Sequence, residues 1–506
     1  MAITAGDSLN SVPAPQQQTL SSNYIDFNQD MGWAQQYLPE LMEKEAEVFG
    51  PRTISGFLSK VGAEESMQSD QVIWSEQGRL HLSYKGKIAT GDTNAGANAG
   101  TGATTRVTIE QDIDGNAITT THGIRVNDTV IVANAAGVHK CLVVTAAAGT
   151  ATIDVAAYSA GSGSGLIADS NDSLSCTILV YGSEFSKGVS YPTGGATTTF
   201  EDGRRANEPD FKTFANRPII MKDYYEVSGS DTARIGWVEV AAESGQSGYL
   251  WYLKAEADTR SRFTDYLEMA LIEAEKNAAA SLADGSNNLA GSSAGAGNVG
   301  TEGLFAAIEA RGNMTSGVTG VNAATDLAEF DAILAEFDNQ GAIEENMMFV
   351  NRATSLAIDD MLASMNSYGA GGTSYGVFEN DEDMALNLGF SGFRRGSYDF
   401  YKSDFRYLND KATRGSINAA NSASAIRGVI IPAGTSTVYD QSLGKNLKRP
   451  FLHVRYRASQ TDNRKLKTWV TGSVGATTSA LDAMQIHMLT ERCLVVQGAN
   501  NFMLMN

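Results

Sequence analysis

The run from about Ser247 to Asp284, containing YLWYLKAEADTRSRFTDYLEMALIEAEKNAAASLAD, constrains this chain more than any other stretch. Apolar residues recur at Leu250, Leu253, Ala257, Leu267, Ala270, Leu271, Ala274, Ala278 and Leu282, mostly three or four positions apart, the period of a helix with one buried face. Glu256 with Arg260 and Asp258 with Arg262 place opposite charges one turn apart in acid-first order. Ser244 or Ser247 is available to cap the start and Gly285 to end the run. At about 1.5 Å per residue such a helix spans roughly 50 Å. That is a rod suited to a scaffold that must stay stiff across a subunit; the plainer alternative is a long core helix.

The rest of the chain narrows the choice. With 506 residues there is room for two to four domains. A net charge of −20 argues against a surface that grips nucleic acid or anionic membrane throughout. Cys141, Cys176 and Cys493 lie far apart without a C-x-x-C pair, which points to a reducing cytoplasm rather than a disulfide framework or zinc module. The N-terminus has no basic and apolar signal pattern, and no apolar run is long enough to span a membrane. No Pro occurs from Ile219 to Ile431, so regular structure is expected there.

Residues 1–30 are polar, contain Pro13 and Pro15, and read as an extended arm; Met31 to Phe49 reads as a short amphipathic helix. In DQVIWSEQGRLHLSYKG, Leu80, Leu82 and Tyr84 alternate with polar residues as in a two-faced strand. Its expected partner is EFSKGVSY at 184–191, making a two-stranded arm that carries everything between as an insertion. That insertion, 89–180, opens with the linker GDTNAGANAGTGATT and breaks again at AGSGSG. Between them RVTIE, TVIVA, CLVVT, TIDVAAY and CTILVY are short β runs separated by turns such as Asp114-Gly115-Asn116, predicting a small all-β barrel or sandwich. Later, DLAEFDAILAEFDNQ puts Leu327, Phe330, Ile333, Leu334 and Phe337 on one helix face, with Asp326 and Glu329 resembling a capping box and Gly341 at the far end. MMFV reads as a buried strand, Thr354 to Met365 as a helix, FLHVRYRAS–QTDN–RKLKTWVTG as a hairpin, and RCLVVQGANNFMLM as a buried strand pair.

Charge is segregated. Asp326 to Glu345 holds seven acids and no base, whereas Lys445 to Lys467 holds eight bases against Asp462 alone. Two readings stand side by side: solvated faces, or complementary surfaces that meet between subunits.

The motifs that would carry catalysis fail in context. Gly295, Gly297 and Gly300 match G-x-G-x-x-G but follow a helix inside an Ala/Ser/Gly loop, where no pyrophosphate cradle forms. Ser293 and Ser374 each sit in G-x-S-x-G without the preceding strand of a nucleophile elbow. EQDIDGN resembles a calcium loop, but Gly123 occupies the position that needs a bidentate Glu. His81, His122, His139, His453 and His487 lack metal-ligand spacing, and the acids from Glu379 to Asp383 read as a solvated loop. Phe451, Tyr456 and Trp469 interleave the basic stretch, yet their alternation suits a hairpin core better than base stacking. No cofactor or metal is expected, and no enzyme.

The order of parts resembles the tailed-phage major capsid proteins of the Hong Kong 97-type fold. The resemblance rests on EAEKNAAASLADGSNN leading to GTEGLFAAIEARG, then DLAEFDAILAEFDNQGAIEENMMFVNRATSLAIDDML, and finally DAMQIHMLTERCLVVQGANNFMLM. It covers about four fifths of the chain and lies in pattern, since the family has no short signature. It implies an α+β fold: an N-terminal arm and short helix at 1–69, an extended β loop at 70–88 and 181–216, and a peripheral domain with its spine helix at 217–300. An axial domain at 301–440 and return strands at 441–506 complete it. The inserted small β domain at 89–180 departs from the minimal pattern and is similar to insertions in larger relatives, including crAss-like phages of Bacteroidetes. The implied function is self-assembly into hexamers and pentamers of an icosahedral head around double-stranded DNA, in the host cytoplasm and away from membranes. Portal, scaffolding and decoration proteins are the implied partners. Arg455, Arg457, Lys465, Arg394, Arg395, Trp74 and Tyr84 are the residues expected at the assembly interface. An encapsulin-like shell is the nearest rival and a serine hydrolase a more distant one.

Overall fold

A computed structural model describes residues 64–77, 81–94, 104–120, 122–135, 137–146, 150–159, 173–188, 211–230, 240–241, 247–248, 250–277, 300–340, 343–365, 392–420, 425–433, 435–440, 445–475 and 477–506. The expected arm and helix of residues 1–49, the serines 293 and 374, and the acidic loop at 379–383 lie outside them. Contacts divide the chain into two units, residues 75–213 and the remainder.

The chain enters through β1 (Glu64–Met67) and β2 (Val72–Gln77). The inserted unit then forms a closed barrel of β3 (Ser83–Asn94), β4 (Thr104–Asp112), β5 (Asp128–Asn134), β6 (Gly137–Ala146), β7 (Thr152–Ala157) and β8 (Cys176–Ser183), in the order β3-β4-β7-β6-β5-β8. Each of the five short β runs read from the sequence lies in one of these strands or just past its end. Alternation explains why: Val107, Ile109, Val130, Val132, Cys141, Val143, Ile153, Val155 and Ile178 point inward and fill the barrel. Among the described residues, the expected pairing of 80–84 with 184–191 does not form. Ser83 and Tyr84 instead face Leu179 and Ile178, so residues 83–88 belong to the barrel. The linker that opens the insertion is also part strand, since Thr93 and Asn94 pair with Thr105 and Thr104. In place of the expected arm, β2 pairs with β9 (Phe211–Asn216).

The other unit contains two larger sheets. β10 (Ile219–Ser228) leads on to the short pair β11 (Val240–Ala241) and β12 (Ser247–Gly248), and then to the long helix α1 (Leu250–Glu273). At 24 residues α1 spans about 36 Å, shorter than expected. It stops because the chain turns at Glu275 to bridge Lys276 with Gly300. Gly300 sits at φ +66°, where a Cβ would lie 2.3 Å from the Glu275 carbonyl, so the third glycine of the apparent nucleotide motif serves a tight backbone crossing. Phe263, Leu267, Leu271 and Ile272 form the buried face of α1, while Ala257 is exposed. Glu256 and Arg260 pair at 3.3 Å, but Arg262 reaches across to Asp223 of β10 at 3.5 Å instead of Asp258.

Next come α2 (Leu304–Arg311), β13 (Asn313–Thr315), α3 (Ala323–Gln340), β14 (Glu345–Val350) and α4 (Arg352–Met365). β15 (Gly392–Arg395), β16 (Tyr398–Asp404), α5 (Arg414–Ala420), β17 (Gly428–Pro432), β18 (Thr435–Asp440) and β19 (Lys445–Pro450) follow. The chain closes with β20 (Leu452–Arg457), β21 (Lys467–Gly472), β22 (Ala483–Val496) and β23 (Met503–Met505). Phe330, Ile333 and Phe337 of α3 are buried as the periodicity requires, with Phe330 5.1 Å from Phe400 and 5.5 Å from Phe393. The capping is rearranged: Asn322 accepts from the Thr325 N–H, while Asp326 and Glu329 accept from the backbone of Gly320 and Thr319. Gly341 lies outside the described residues.

One sheet has the order β1-β20-β22-β10, with β21 also on β22; the other runs β13-β23-β17-β14-β16-β15. Of the hairpin expected from 451 to 472 only the turn closes, through the Ala458–Asn463 bridge and the Arg464 N–H on the Arg457 carbonyl; the strands themselves do not pair with each other. β20 pairs with the Arg492–Val496 half of β22 and β21 with its Met484–Leu489 half, because a 14-residue strand offers more ladder than either gains from the other. Nor do the last strands pair together: β22 lies in the first sheet and β23, expected among the return strands, in the second. One core joins both sheets to α1 and α2, drawing on Leu271, Ile272, Leu304, Ile308, Val429, Ile431, Leu452, Leu494 and Leu504. At about 1.5–3 kcal/mol for each such side chain removed from water, this cluster is the main stabilising element of the unit.

Candidate functional site

Three of the interface candidates meet at one sheet edge. β1 runs parallel to β20, aligning Glu65 with Arg455 and Met67 with Arg457. Arg455 pairs with Glu65 at 2.7 Å, and Arg457 joins Asp70 at 2.5 Å and Glu491 at 3.0 Å. Arg464 also reaches Glu491 at 2.6 Å, Arg492 reaches Glu64 at 2.7 Å, and Lys465 caps the same Glu64. The Asp70 carboxylate, then Glu491, holds the Arg457 guanidinium in its charged form above its ordinary range, whereas burial pulls Arg492 down. Beneath these pairs Met67 is buried against Cys493, its sulfur 3.9 Å away. Arg455, Arg457, Arg464 and Lys465 are therefore neutralised within their own chain, by acids at 64–70 and 491, and form a clamp on strand β1. A cleft of about 420 Å³ opens beside it between Asp70, Arg217, Ile220 and Glu491, but Arg457 on its wall is already committed to both carboxylates.

The acidic stretch finds its partner locally as well. Arg395 binds both oxygens of Asp331, at 2.5 and 2.7 Å, and this bidentate bond raises its already high pKa. Arg394 pairs with Asp399 at 3.6 Å and stays largely in solvent. Among the described residues, the ion pairs of the acidic helix and those of the basic stretch run to different partners.

Trp74 and Tyr84 are buried inside their own units, 7% and 6% exposed, and so present no free face to a neighbour. Trp74 packs on Phe214 at 6.2 Å, and the Arg311 guanidinium lies 4.5 Å above Phe214 while donating to Glu302 at 2.7 Å. Tyr84 is a barrel residue whose hydroxyl accepts the Gly123 N–H at 2.8 Å; burial pushes its pKa up against that hydrogen bond. Gly123, the residue that defeats the calcium-loop reading, has this role instead.

Sequence reasoning missed Asn216. Fully buried at the end of β9, its amide donates to the carbonyls of Leu494 at 2.6 Å and Glu302 at 2.9 Å, and accepts from the N–H groups of Glu302 and Arg217 and the Thr301 hydroxyl. It ties β9 to the start of α2 and to β22. Only long-range partners give this residue its meaning, so local sequence carries no signal for it.

Among the described residues no group of three or more His, Cys, Asp or Glu could hold a metal ion, and no helix is long and apolar enough to cross a membrane. The three thiols are buried. Burial pushes Cys141 and Cys493 up to about 12. Both should therefore resist a thiol reagent at pH 8 in the native protein, all three cysteines reacting only after denaturation; a fast-reacting thiol in the native state would contradict this. Since a folded pKa above the unfolded one favours folding only while both thiols stay protonated, stability should fall as pH rises from about 9 toward 12.

No protein-family model matches the sequence, and no curated protein does. Solved chains from phages align loosely with this one. A Microbacterium phage Oxtober96 structure is 9% identical with a TM-score of 0.36, covering 92% of this chain and 96% of that one. A Mycobacterium phage Ogopogo structure is 12% identical with a TM-score of 0.32, covering 62% and 83%. The mature capsid of bacteriophage PhiM1 is 9% identical with a TM-score of 0.30, covering 62% and 78%. None of these scores reaches 0.5, so the backbones overlap only loosely.

Proposed function

We propose that this chain is a major capsid protein of a tailed phage, with the Hong Kong 97-type fold and an inserted β-barrel. The observation that carries the reading is the order of parts. A strand pair, β2 with β9, flanks an inserted barrel; a 24-residue helix follows; a mixed α/β segment comes next; and β20, β21 and β22 return to the first sheet. This order supports the reading to which the sequence resemblance points. Under this reading copies of the chain form hexamers and pentamers through heterologous contacts that close into rings, and the rings tile an icosahedral head. Double-stranded DNA is enclosed without being read, consistent with a chain of net charge −20 that does not grip phosphate strongly. Portal, scaffolding and decoration proteins are the further partners in such a head. Sedimentation of the purified protein over a range of concentration and salt should show species of five or more copies. A monomer under every condition sinks the proposal.

A further inference from the structure

Among the described residues, the longest free strand edge outside the barrel belongs to β10. One side of β10 pairs with β22 from Ile219 against Arg492 to Ser228 against Ala483, and no described strand lies along its other side. Gly229 continues the ladder by donating its N–H to the Asp482 carbonyl at 2.9 Å, so the odd-numbered amides face β22. Backbone groups of alternate residues face opposite ways in such a ladder. Those of Ile220, Lys222, Tyr224, Glu226 and Ser228 therefore face the open edge. The strand is long, unbulged and free of Pro, and so lacks three common protections of a sheet edge.

The even-numbered side chains form an outer row. Asp223 meets Arg262 of α1 and Met221 packs on the core, which places the even row on the opposite face of the sheet. There Ile220 is 55% exposed and Tyr224 56%, with the Tyr224 ring stacked on His487 of β22 at 5.9 Å. Among the described residues neither Lys222 nor Glu226 has an ion-pair partner; Glu226 accepts a hydrogen bond from the Gln485 amide at 2.7 Å.

Backbone direction and charge together select the occupant. A two-fold axis normal to the sheet sets β10 of two copies antiparallel, and hydrogen bonds form only where even-numbered residues face even-numbered ones. The strand carries three charges, Lys222, Asp223 and Glu226. An axis at any of those three opposes like charges directly, and an axis at Tyr225 brings no charges together. An axis at Tyr224 sets Lys222 of each copy opposite Glu226 of the other, with Ile220 opposite Ser228 and Asp223 opposite Tyr225. A partner of one charge sign gains at one of these positions and loses at the other. We infer that β10 pairs with β10 of a second copy about a two-fold axis at Tyr224, making one sheet across two subunits. In the single chain the Tyr224 N–H donates to the Asp223 carboxylate at 2.9 Å, which Arg262 also holds at 3.5 Å. The partner's Tyr224 carbonyl replaces that carboxylate when the strands join. The inference deepens the assembly reading and rests on it for the high local concentration of subunits, since one strand pair is weak alone and strengthened by repetition.

The test uses the full chain. Directly opposite residues of a hydrogen-bonded pair lie about 5.5 Å apart at Cα, within reach of a disulfide, whereas positions eight residues out of register are separated by about 26 Å. The three native thiols are buried and stay out of the reaction. Under mild oxidation Tyr224→Cys should give covalent dimers and Ile220→Cys none above background. An equal mixture of Ile220→Cys and Ser228→Cys should give dimers again. Adding Lys222→Glu to Tyr224→Cys should lower the dimer yield several-fold, and adding Glu226→Lys to that variant should restore it. Equal yields from Tyr224→Cys and Ile220→Cys, no response to the charge changes, or no dimer at either position, as when another segment covers the edge, overturn the inference. Particles that form without the Tyr224→Cys cross-link sink the strand pairing alone; cross-linked dimers without particles sink the assembly reading and leave the pairing standing.

Discussion

Asn216→Ala is expected to destabilise the two-sheet unit by about 3 kcal/mol, since each buried group left without its partner costs about 1–3 kcal/mol. The substitution strips partners from the Leu494 and Glu302 carbonyls and from the Glu302 N–H, groups 278 and 86 residues away in sequence. Asn216→Asp is the informative companion. It keeps an acceptor for the Glu302 N–H but turns a buried carboxylate oxygen toward the Leu494 and Glu302 carbonyls, so at neutral pH its midpoint should fall to that of alanine or below it. Urea denaturation followed by tryptophan fluorescence reads the difference, Trp74 being in the same unit and packed close to this junction. A change below about 0.5 kcal/mol, the scale of an ordinary surface substitution, would show that Asn216 ties nothing together.

Reversing Arg455 and Arg457 together to Glu should release strand β1. The new carboxylates face Glu65, Asp70 and Glu491, turning three attractions into repulsions. The expected cost is on the order of 2–3 kcal/mol, less than the roughly 3–5 of a fully buried pair because the guanidiniums keep some contact with solvent. Hydrogen exchange at residues 64–67 is the direct readout. Protection there should collapse while the β22–β10 ladder stays protected, and added salt should restore part of it by screening. If β1 keeps its protection, the clamp is an incidental surface network. The same variant separates two meanings of the segregated charge. Normal assembly at low salt with β1 released places these arginines in holding their own chain together; failed assembly with β1 still protected places them between subunits.

What the sequence reveals about this molecule follows the range of the interactions involved. The barrel strands were legible because alternation between Val130, Val132 and their outward neighbours is a local signal enforced by one enclosed core. Helix α3 was legible for the same reason at period 3.6, through Phe330, Ile333 and Phe337. Pairing was less legible. Residues 80–84 and 184–191 looked like partners by pattern, but β8 is nearer and completes a closed barrel, which leaves no edge unpaired. The segments 452–457 and 467–472 looked like a hairpin, but β22 accommodates both end to end. Ion pairs were least legible of all. Arg457 and Asp70 are 387 residues apart, and Arg492 and Glu64 are 428, so charge counting found the basic stretch without finding what neutralises it. Trp74 and Tyr84, expected at the assembly interface, are buried because each has an internal partner, Phe214 in one case and the Gly123 N–H in the other.

Cryo-electron microscopy of the purified full-length protein tests the central claim most directly. The expected result is closed particles or capsomer rings of five and six copies, in which each subunit shows a sheet backed by a 24-residue helix and a separate density for the barrel. Dispersed single chains at every concentration and salt, or open filaments without five- or six-fold rings, would contradict it.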